Sequence, residues 1–202
     1  MLTLFHAPMS RSSRFIWLLE ETGAPYEIRP VTIFRPMQGE GQADAANPHP
    51  DKRVPALVDD GVLVTESQAI ALYLADKFPE AHLAPRIGER ARGAYLTWMA
   101  WYPGSLEHAM FAHFEGALGD AQKKRNHEEV TARLEAALAK GPWIMGEQFT
   151  AADVLIGSAV NWARKAFPES AVLDAYGARC AARPAAQRAV ALDQASGVQK
   201  AA

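Results

Sequence analysis

The 202-residue chain has one cysteine, Cys180, so an internal disulfide framework is excluded and a reducing compartment is the expected setting. It has no basic block longer than Lys123-Lys124-Arg125 and a net charge of only −2, which argues against a nucleic-acid partner. No apolar run approaches the ~20 residues that a membrane span needs. The first residues, Met1-Leu2-Thr3-Leu4-Phe5, lack the basic start and long apolar region of a secretion signal. These absences lead us to expect a soluble cytoplasmic protein with neither a nucleic-acid nor a membrane partner. What the chain does have is apolar material, 49 % of its residues, enough for one large or two modest domains with real cores.

The pattern changes character along the chain. Leu2 to Phe5 is a short β-rich start. From Ser12 or Ser13, Phe15-Ile16-Trp17-Leu18-Leu19 has apolar residues at helical spacing, and Gly23 supplies a stop. Pro25 to Val31 reads as a second strand, and the spacing allows the crossover that a parallel βαβ unit requires. Residues 34–51, rich in Gly, Pro, Asp and Asn, read as a long loop. Pro79 to Pro85 reads as a linker. Downstream the expected elements are all helical: Ile87–Gly119, Ala121–Lys140, Ala151–Phe167, Ala171–Arg183 and a shorter helix after Pro184. The expected organisation is therefore an α/β domain over 1–78, a linker over 79–85 and an all-α domain over 86–202.

In the helical part, Phe149-Thr150-Ala151-Ala152-Asp153-Val154 reads as a capping box, with Thr150 as N-cap and Asp153 three residues on. Phe149 and Val154 are spaced for the accompanying hydrophobic staple. The nearly all-apolar helix that follows should be buried, and the box should serve folding, at a cost on the order of 1 kcal/mol if Asp153 becomes Ala.

The densest local signal is Val54-Pro55-Ala56-Leu57, followed by the turn Asp59-Asp60-Gly61 and then Glu66-Ser67 before Ala69-Ile70-Ala71-Leu72-Tyr73-Leu74. A proline that cannot donate to a ladder belongs at the first residue of a strand or in a turn. Asp-Gly between apolar residues marks a hairpin. The helix that Glu66-Ser67 opens presents unpaired N–H groups and a partial positive charge, suited to a carboxylate. A hairpin thus feeds a helix start able to grip an anionic ligand.

This arrangement resembles the glutathione-binding half of the glutathione S-transferase family. The resemblance covers the whole chain, with the specific motifs in the first 80 residues. It implies a thioredoxin-like N-terminal domain followed by an all-α C-terminal domain, and glutathione as co-substrate with no metal. In that family the proline is cis, so Pro55 is expected to be cis and Val54 to pair with the ligand through its backbone. Glu66 and Ser67 would hold the γ-glutamyl end. Arg53, or Lys52 beside it, stands where the family places a lysine for the glycyl carboxylate, and Arg can bind a carboxylate bidentately.

Glutathione conjugation needs a thiolate, and an unperturbed thiol near pKa 8.5 is only a few per cent ionised at neutral pH. Lowering that value by about two units takes ~2.7 kcal/mol of preferential stabilisation, within reach of one or two donors at a helix start. Pro8-Met9-Ser10-Arg11-Ser12-Ser13-Arg14 supplies hydroxyls and guanidinium groups there. Ser10 with Arg14 matches the spacing of serine-type members of the family, bacterial relatives included; Ser12 is the rival donor. Phe5 carries no hydroxyl, which disfavours the tyrosine-type mechanism, and the loop has no cysteine, which argues against a glutaredoxin-like role.

The second substrate, an apolar electrophile, is expected between the domains against the first helix of the helical part, where Tyr95, Trp98, Trp101, Tyr102 and Phe111 concentrate. Trp98 is expected in the core. Met9, Trp101, Tyr102 and His108 are the pocket candidates, near a Pro103-Gly104 interruption able to bend the helix. The resemblance implies a homodimer and leaves three activities open: a glutathione transferase, a non-catalytic binding or regulatory protein on the same fold, or a glutathione-dependent isomerase or dehalogenase.

Overall fold

The computed structural model of the chain describes residues 1–115 and 119–198. Contacts divide it into two compact units: Met1–Ala81 together with the last helix, and His82–Arg183. The expected all-α domain over 86–202 therefore differs in extent from the compact unit, because the helix after Pro184 packs with the N-terminal residues.

The first unit is built on a four-stranded sheet of β1 (Leu2–His6), β2 (Tyr26–Pro30), β3 (Ala56–Asp59) and β4 (Val62–Thr65), in the order β2-β1-β3-β4. β1 runs parallel to β2 and antiparallel to β3, and β3 and β4 form the hairpin. Pro30 lies in an edge strand, where its missing donor costs no inner ladder bond. α1 (Ser13–Thr22) makes the crossover and stops at Gly23, whose φ of 67° is the left-handed conformation that favours glycine. Phe15 to Leu19 are all buried. Such a run can be buried on successive faces because α1 packs against both α2 (Ser67–Lys77) and α8 (Pro184–Val198).

α8 makes that approach possible with Ala185, Ala186 and Ala189, all buried. Arg188 on α8 pairs with Glu20 on α1 at 2.5 Å. Far from being shorter than its predecessors, α8 has 15 residues against 11 in α7. Leu2, Leu4 and His6 alternate onto one face of β1. Phe5 points to the other face, into a cluster with Ala7, Val31, Val54 and Ala56.

The second unit holds α3 (Arg92–Trp101), α4 (His108–Glu115), α5 (Asp120–Leu138), α6 (Ala151–Ala163) and α7 (Ala171–Ala181). The helix expected over Ile87–Gly119 starts later, because Gly88 is left-handed at φ 91° and Ile87 is exposed. Its expected end runs over residues 116–118, which lie outside the described residues. Pro103-Gly104 sits in a π-helical stretch, Tyr102–Glu107, that separates α3 from α4. Proline lacks the donor a regular turn would need, and a widened turn accommodates it.

α6 is central, with ten of its 13 residues buried. The capping box forms: the Asp153 carboxylate accepts from Thr150 N–H at 2.9 Å and from the Thr150 hydroxyl at 3.2 Å. It also accepts from Ile144 N–H at 2.8 Å and Tyr176 O–H at 3.1 Å. Asp153 is completely buried, and desolvation pushes its carboxyl up to about 6 despite these donors.

Candidate functional site

Sheet register brings the sequence motifs of the first unit to one place. Phe5 pairs with Ala56, and Ala56 with Thr65. The chain leaving β1 toward Ser10, the chain entering β3 through Val54-Pro55, and the chain leaving β4 into Glu66-Ser67 therefore all meet at the same end of the sheet. The packing of Ala7 with Val54 ties the first two together.

The Val54–Pro55 bond is cis. Glu66 adopts φ 66° and ψ 129°, a backbone conformation that side-chain-bearing residues rarely hold. Immediately after it α2 begins, and its first intrahelical bond runs from Ile70 N–H to Glu66 C=O. The N–H groups of Ser67, Gln68 and Ala69 precede that bond, so the helix offers donors and positive potential at this end. Ser67 is buried and Glu66 exposed.

The loop before Pro55 is built on itself. Buried Asn47 donates from its amide to Arg53 C=O at 2.9 Å, and His49 Nδ1 accepts from Asp51 N–H at 3.0 Å. Lys52, itself at φ 54°, donates from Nζ to the carbonyls of Asn47 (2.7 Å) and Ala45 (3.4 Å). Its ammonium therefore holds the loop together. Arg53 is exposed. His49 is buried in the turn, although a loop histidine would ordinarily be exposed.

At the head of α1 the two candidate serines differ sharply. Ser12 is completely buried, and its Oγ lies 2.8 Å from His6 Nδ1, accepts from Ala7 N–H at 3.2 Å and reaches Ala7 C=O at 3.3 Å. Ser10 is half-buried; its Oγ accepts from Ser12 N–H at 3.1 Å and lies 2.7 Å from Ser12 Oγ. Ser13 donates to Asp193 of α8 at 2.5 Å and accepts from Ser10 N–H at 3.2 Å. Met9, at φ 52° and 84 % exposed, turns its N–H toward the same carboxylate, 3.3 and 3.4 Å from its two oxygens. Arg35 clamps the outside of the loop by donating to Pro8 C=O at 2.7 Å and Met9 C=O at 3.2 Å. Arg14 is half-buried in the first turn of α1.

Of the residues expected around an electrophile in the second unit, His108 is exposed and Trp101 half-buried. Tyr102 is corrected: it is 1 % exposed, with its hydroxyl bonded to Glu107, so it is core. Trp98 is also corrected. The buried side of α3 is formed by Tyr95 and Met99, while half-buried Trp98 meets Trp101 edge-on at 5.1 Å. The Arg133 guanidinium lies over both indoles, 5.1 Å from one centroid and 4.9 Å from the other.

Two site-adjacent residues escaped the sequence reading, His6 and Asp193. His6 was legible in part: alternation with Leu2 and Leu4 puts a titratable ring at a core position. Nothing local signals Asp193, which comes from a helix 180 residues away. Among the described residues, no group of three or more His, Cys, Asp or Glu could hold a metal ion, and no helix is long and apolar enough to cross a membrane.

Comparison with known proteins agrees with this geometry. Residues 1–76 match the family model of the glutathione S-transferase N-terminal domain, and residues 128–188 that of the C-terminal domain. The chain is 28 % identical to glutathione S-transferase GstA of Escherichia coli O157:H7 over 164 residues, covering 79 % of this chain and 81 % of that protein. It is 29 % identical over 181 residues to the disulfide-bond oxidoreductase YfcG of Escherichia coli K12, covering 82 % of each. Among solved structures, a sphingomonad glutathione S-transferase complexed with glutathione superposes with a TM-score of 0.76 at 30 % identity, covering 95 % of this chain and 98 % of that one.

Proposed function

Because the chain belongs to the glutathione S-transferase family, we propose that it is a glutathione transferase that activates the thiol with Ser10. The observation that carries this reading is the contrast at the head of α1. Ser10 has an accessible hydroxyl, whereas the Ser12 hydroxyl is sealed beneath it. Glutathione lies along the Val54 backbone beside cis-Pro55, as an extended strand-like partner. Its γ-glutamyl carboxylate meets the N–H groups at the start of α2, with Glu66 and Ser67 on either side. The exposed Arg53 receives the glycyl carboxylate, and Lys52 keeps its loop role. Arg14 adds positive potential at the sulfur end.

In this reading Ser10 O–H donates to the sulfur and stabilises S⁻ over S–H. The thiolate electron pair then forms the new C–S bond at an electrophilic carbon, whose displaced pair leaves with the departing group or moves into the acceptor. Ser10 acts as donor throughout and forms no covalent bond. Met9 is the apolar surface nearest the sulfur; Trp101 and His108 remain candidates for contact with the electrophile, and Tyr102 does not. The protein acts as a homodimer in the cytoplasm.

The relative named a disulfide-bond oxidoreductase favours one second reading, in which the same thiolate attacks a disulfide sulfur. Cys180 cannot serve there, because it is completely buried and burial pushes its thiol up to about 12. Such chemistry would rest on glutathione alone.

The test is ultraviolet difference absorbance of the bound glutathione thiolate as pH is varied, in the wild type and in Ser10→Ala. The expected midpoint lies about two pH units below the free thiol in the wild type and close to the free value in the variant. An unshifted thiol in the wild type would sink the catalytic reading and leave a binding protein. A shift that survives Ser10→Ala would sink the role of Ser10. A panel of alkyl and aryl electrophiles alongside a small disulfide then separates conjugation from reduction.

A further inference from the structure

The inference concerns how Ser10 keeps its proton available, and so rests on the reading of Ser10 as thiolate donor. A serine hydroxyl has one proton and stabilises a thiolate only when that proton points at the sulfur. Ser10 Oγ already accepts from Ser12 N–H and lies 2.7 Å from Ser12 Oγ. Whichever hydroxyl donates across that contact decides whether Ser10 has a proton left to offer.

The decision is made one layer deeper. Ser12 Oγ is 2.8 Å from His6 Nδ1, and His6 Nε2 is 3.2 Å from Asp193 Oδ1, an ion-pair distance without the alignment of a full hydrogen bond. His6 is completely buried and Asp193 is 15 % exposed. A carboxylate facing Nε2 calls for a proton on that nitrogen. Two states remain for Nδ1. If the ring is neutral, Nδ1 is an acceptor and takes the Ser12 proton; Ser10 must then donate to Ser12 and has none for a ligand. If the ring is an imidazolium, Nδ1 donates to Ser12, Ser12 donates to Ser10, and the Ser10 proton is free.

We propose that Asp193 and His6 are positioning residues, an ion pair that turns the Ser12 hydroxyl toward Ser10 and leaves the Ser10 proton for the glutathione sulfur. Three features support the charged pair. Asp193 is held by Ser13 O–H and Met9 N–H as well as by the ring. Burial pulls its carboxyl upward, but the His6, Ser13 and Met9 hydrogen bonds outweigh this and keep it below the usual carboxylate range. Opposite His6 on β2 is Pro30, the α1 side contributes the hydroxyls of Ser12 and Ser13, and Asp193 is the charged group in contact from α8. The same residues do not make Ser12 a nucleophile of the serine–histidine–carboxylate kind, because a completely buried hydroxyl cannot meet a substrate.

The experiment is a double-mutant cycle on the bound-thiol midpoint with Ser10→Ala, Asp193→Asn and the two combined, folding being checked first by thermal unfolding. Asp193→Asn in the Ser10 protein should raise the midpoint by about one pH unit, equivalent to about tenfold less thiolate below it. It should lower kcat several-fold, leave KM for glutathione within about twofold, and add nothing in the Ser10→Ala background. A shift of equal size in both backgrounds, or none in the Ser10 protein, overturns the proposal while leaving Ser10 as donor. If Ser10→Ala alone moves nothing, the reading of Ser10 fails and this inference with it. Should Asp193→Asn not fold, two-bond ¹H–¹⁵N spectra of His6 in the unmodified protein decide at neutral pH. Both ring nitrogens protonated support the proposal; a ring protonated only at Nε2 overturns it.

Discussion

Replacing Asp153 with Ala should destabilise the protein by considerably more than the loss of a helix cap. The carboxylate accepts from Thr150 N–H, Ile144 N–H and Tyr176 O–H, and all three residues are buried. Stranding each donor costs roughly 1–3 kcal/mol, about 6 kcal/mol at mid-range for the three. Alanine also relieves the burial of a charge. With the carboxyl pushed from 3.8 up to about 6, that relief is on the order of 3 kcal/mol at neutral pH. The difference is a loss of about 3 kcal/mol, three times the cap alone, and a Tm lower by about 6–12 °C for a chain of this size.

The pH dependence has a defined sign. A folded-state value above the unfolded one means the native protein binds more protons between pH 3.8 and about 6. The wild type therefore gains stability from this group as pH falls from 7 to 5, and Asp153→Ala does not. The gap between the two should widen by about 1 kcal/mol over that interval. Thermal unfolding followed by circular dichroism at both pH values measures it, with specific activity per folded molecule unchanged. A Tm loss under about 2 °C, or a gap that narrows on acidification, would refute the argument from stranded donors and a desolvated carboxylate.

Other expectations follow from the same structure. Arg53→Ala should raise KM for glutathione about fivefold to tenfold with kcat little changed, since a charge-assisted contact contributes roughly 1.5 kcal/mol. Lys52→Ala should lower Tm and leave that KM nearly intact, because its ammonium holds the carbonyls of Asn47 and Ala45. Glu66→Gly relaxes a φ of 66° while loosening the unfolded chain, so stability should change by less than about 0.5 kcal/mol while glutathione affinity, measured by calorimetry, falls. Gly157→Ala would set a methyl 2.5 Å from Cys180 Sγ in a filled core. It should cost about 1–3 kcal/mol in denaturant unfolding, partly recovered by adding Cys180→Ala.

The local elements of the site were legible because each is written in a short stretch of residues. Alternation in Leu2–Phe5, the glycine stop at Gly23, the Asp60-Gly61 turn and Pro55 specify strand, helix and hairpin through backbone preferences that act over a few residues. The Thr150–Asp153 box was readable for the same reason, although the Ile144 and Tyr176 donors that triple its weight were not. Tyr102 and Trp98 were misassigned because helical spacing defines a face and leaves open which face is covered. The cover is supplied by other elements, and here Tyr95, Met99 and Tyr102 are turned inward while the two tryptophans meet Arg133.

The sequence by itself determined the family, the order of strands and helices in the first unit, and a segment of hydroxyls at the head of a helix. Only the tertiary structure decided between the serines. Whether a hydroxyl can serve a ligand depends on its burial and on what claims its proton and lone pairs, and those partners come from distant parts of the chain. Ser12 is sealed by the end of β1, and the carboxylate behind His6 arrives on α8, which the alanines of that helix allow to lie close against α1.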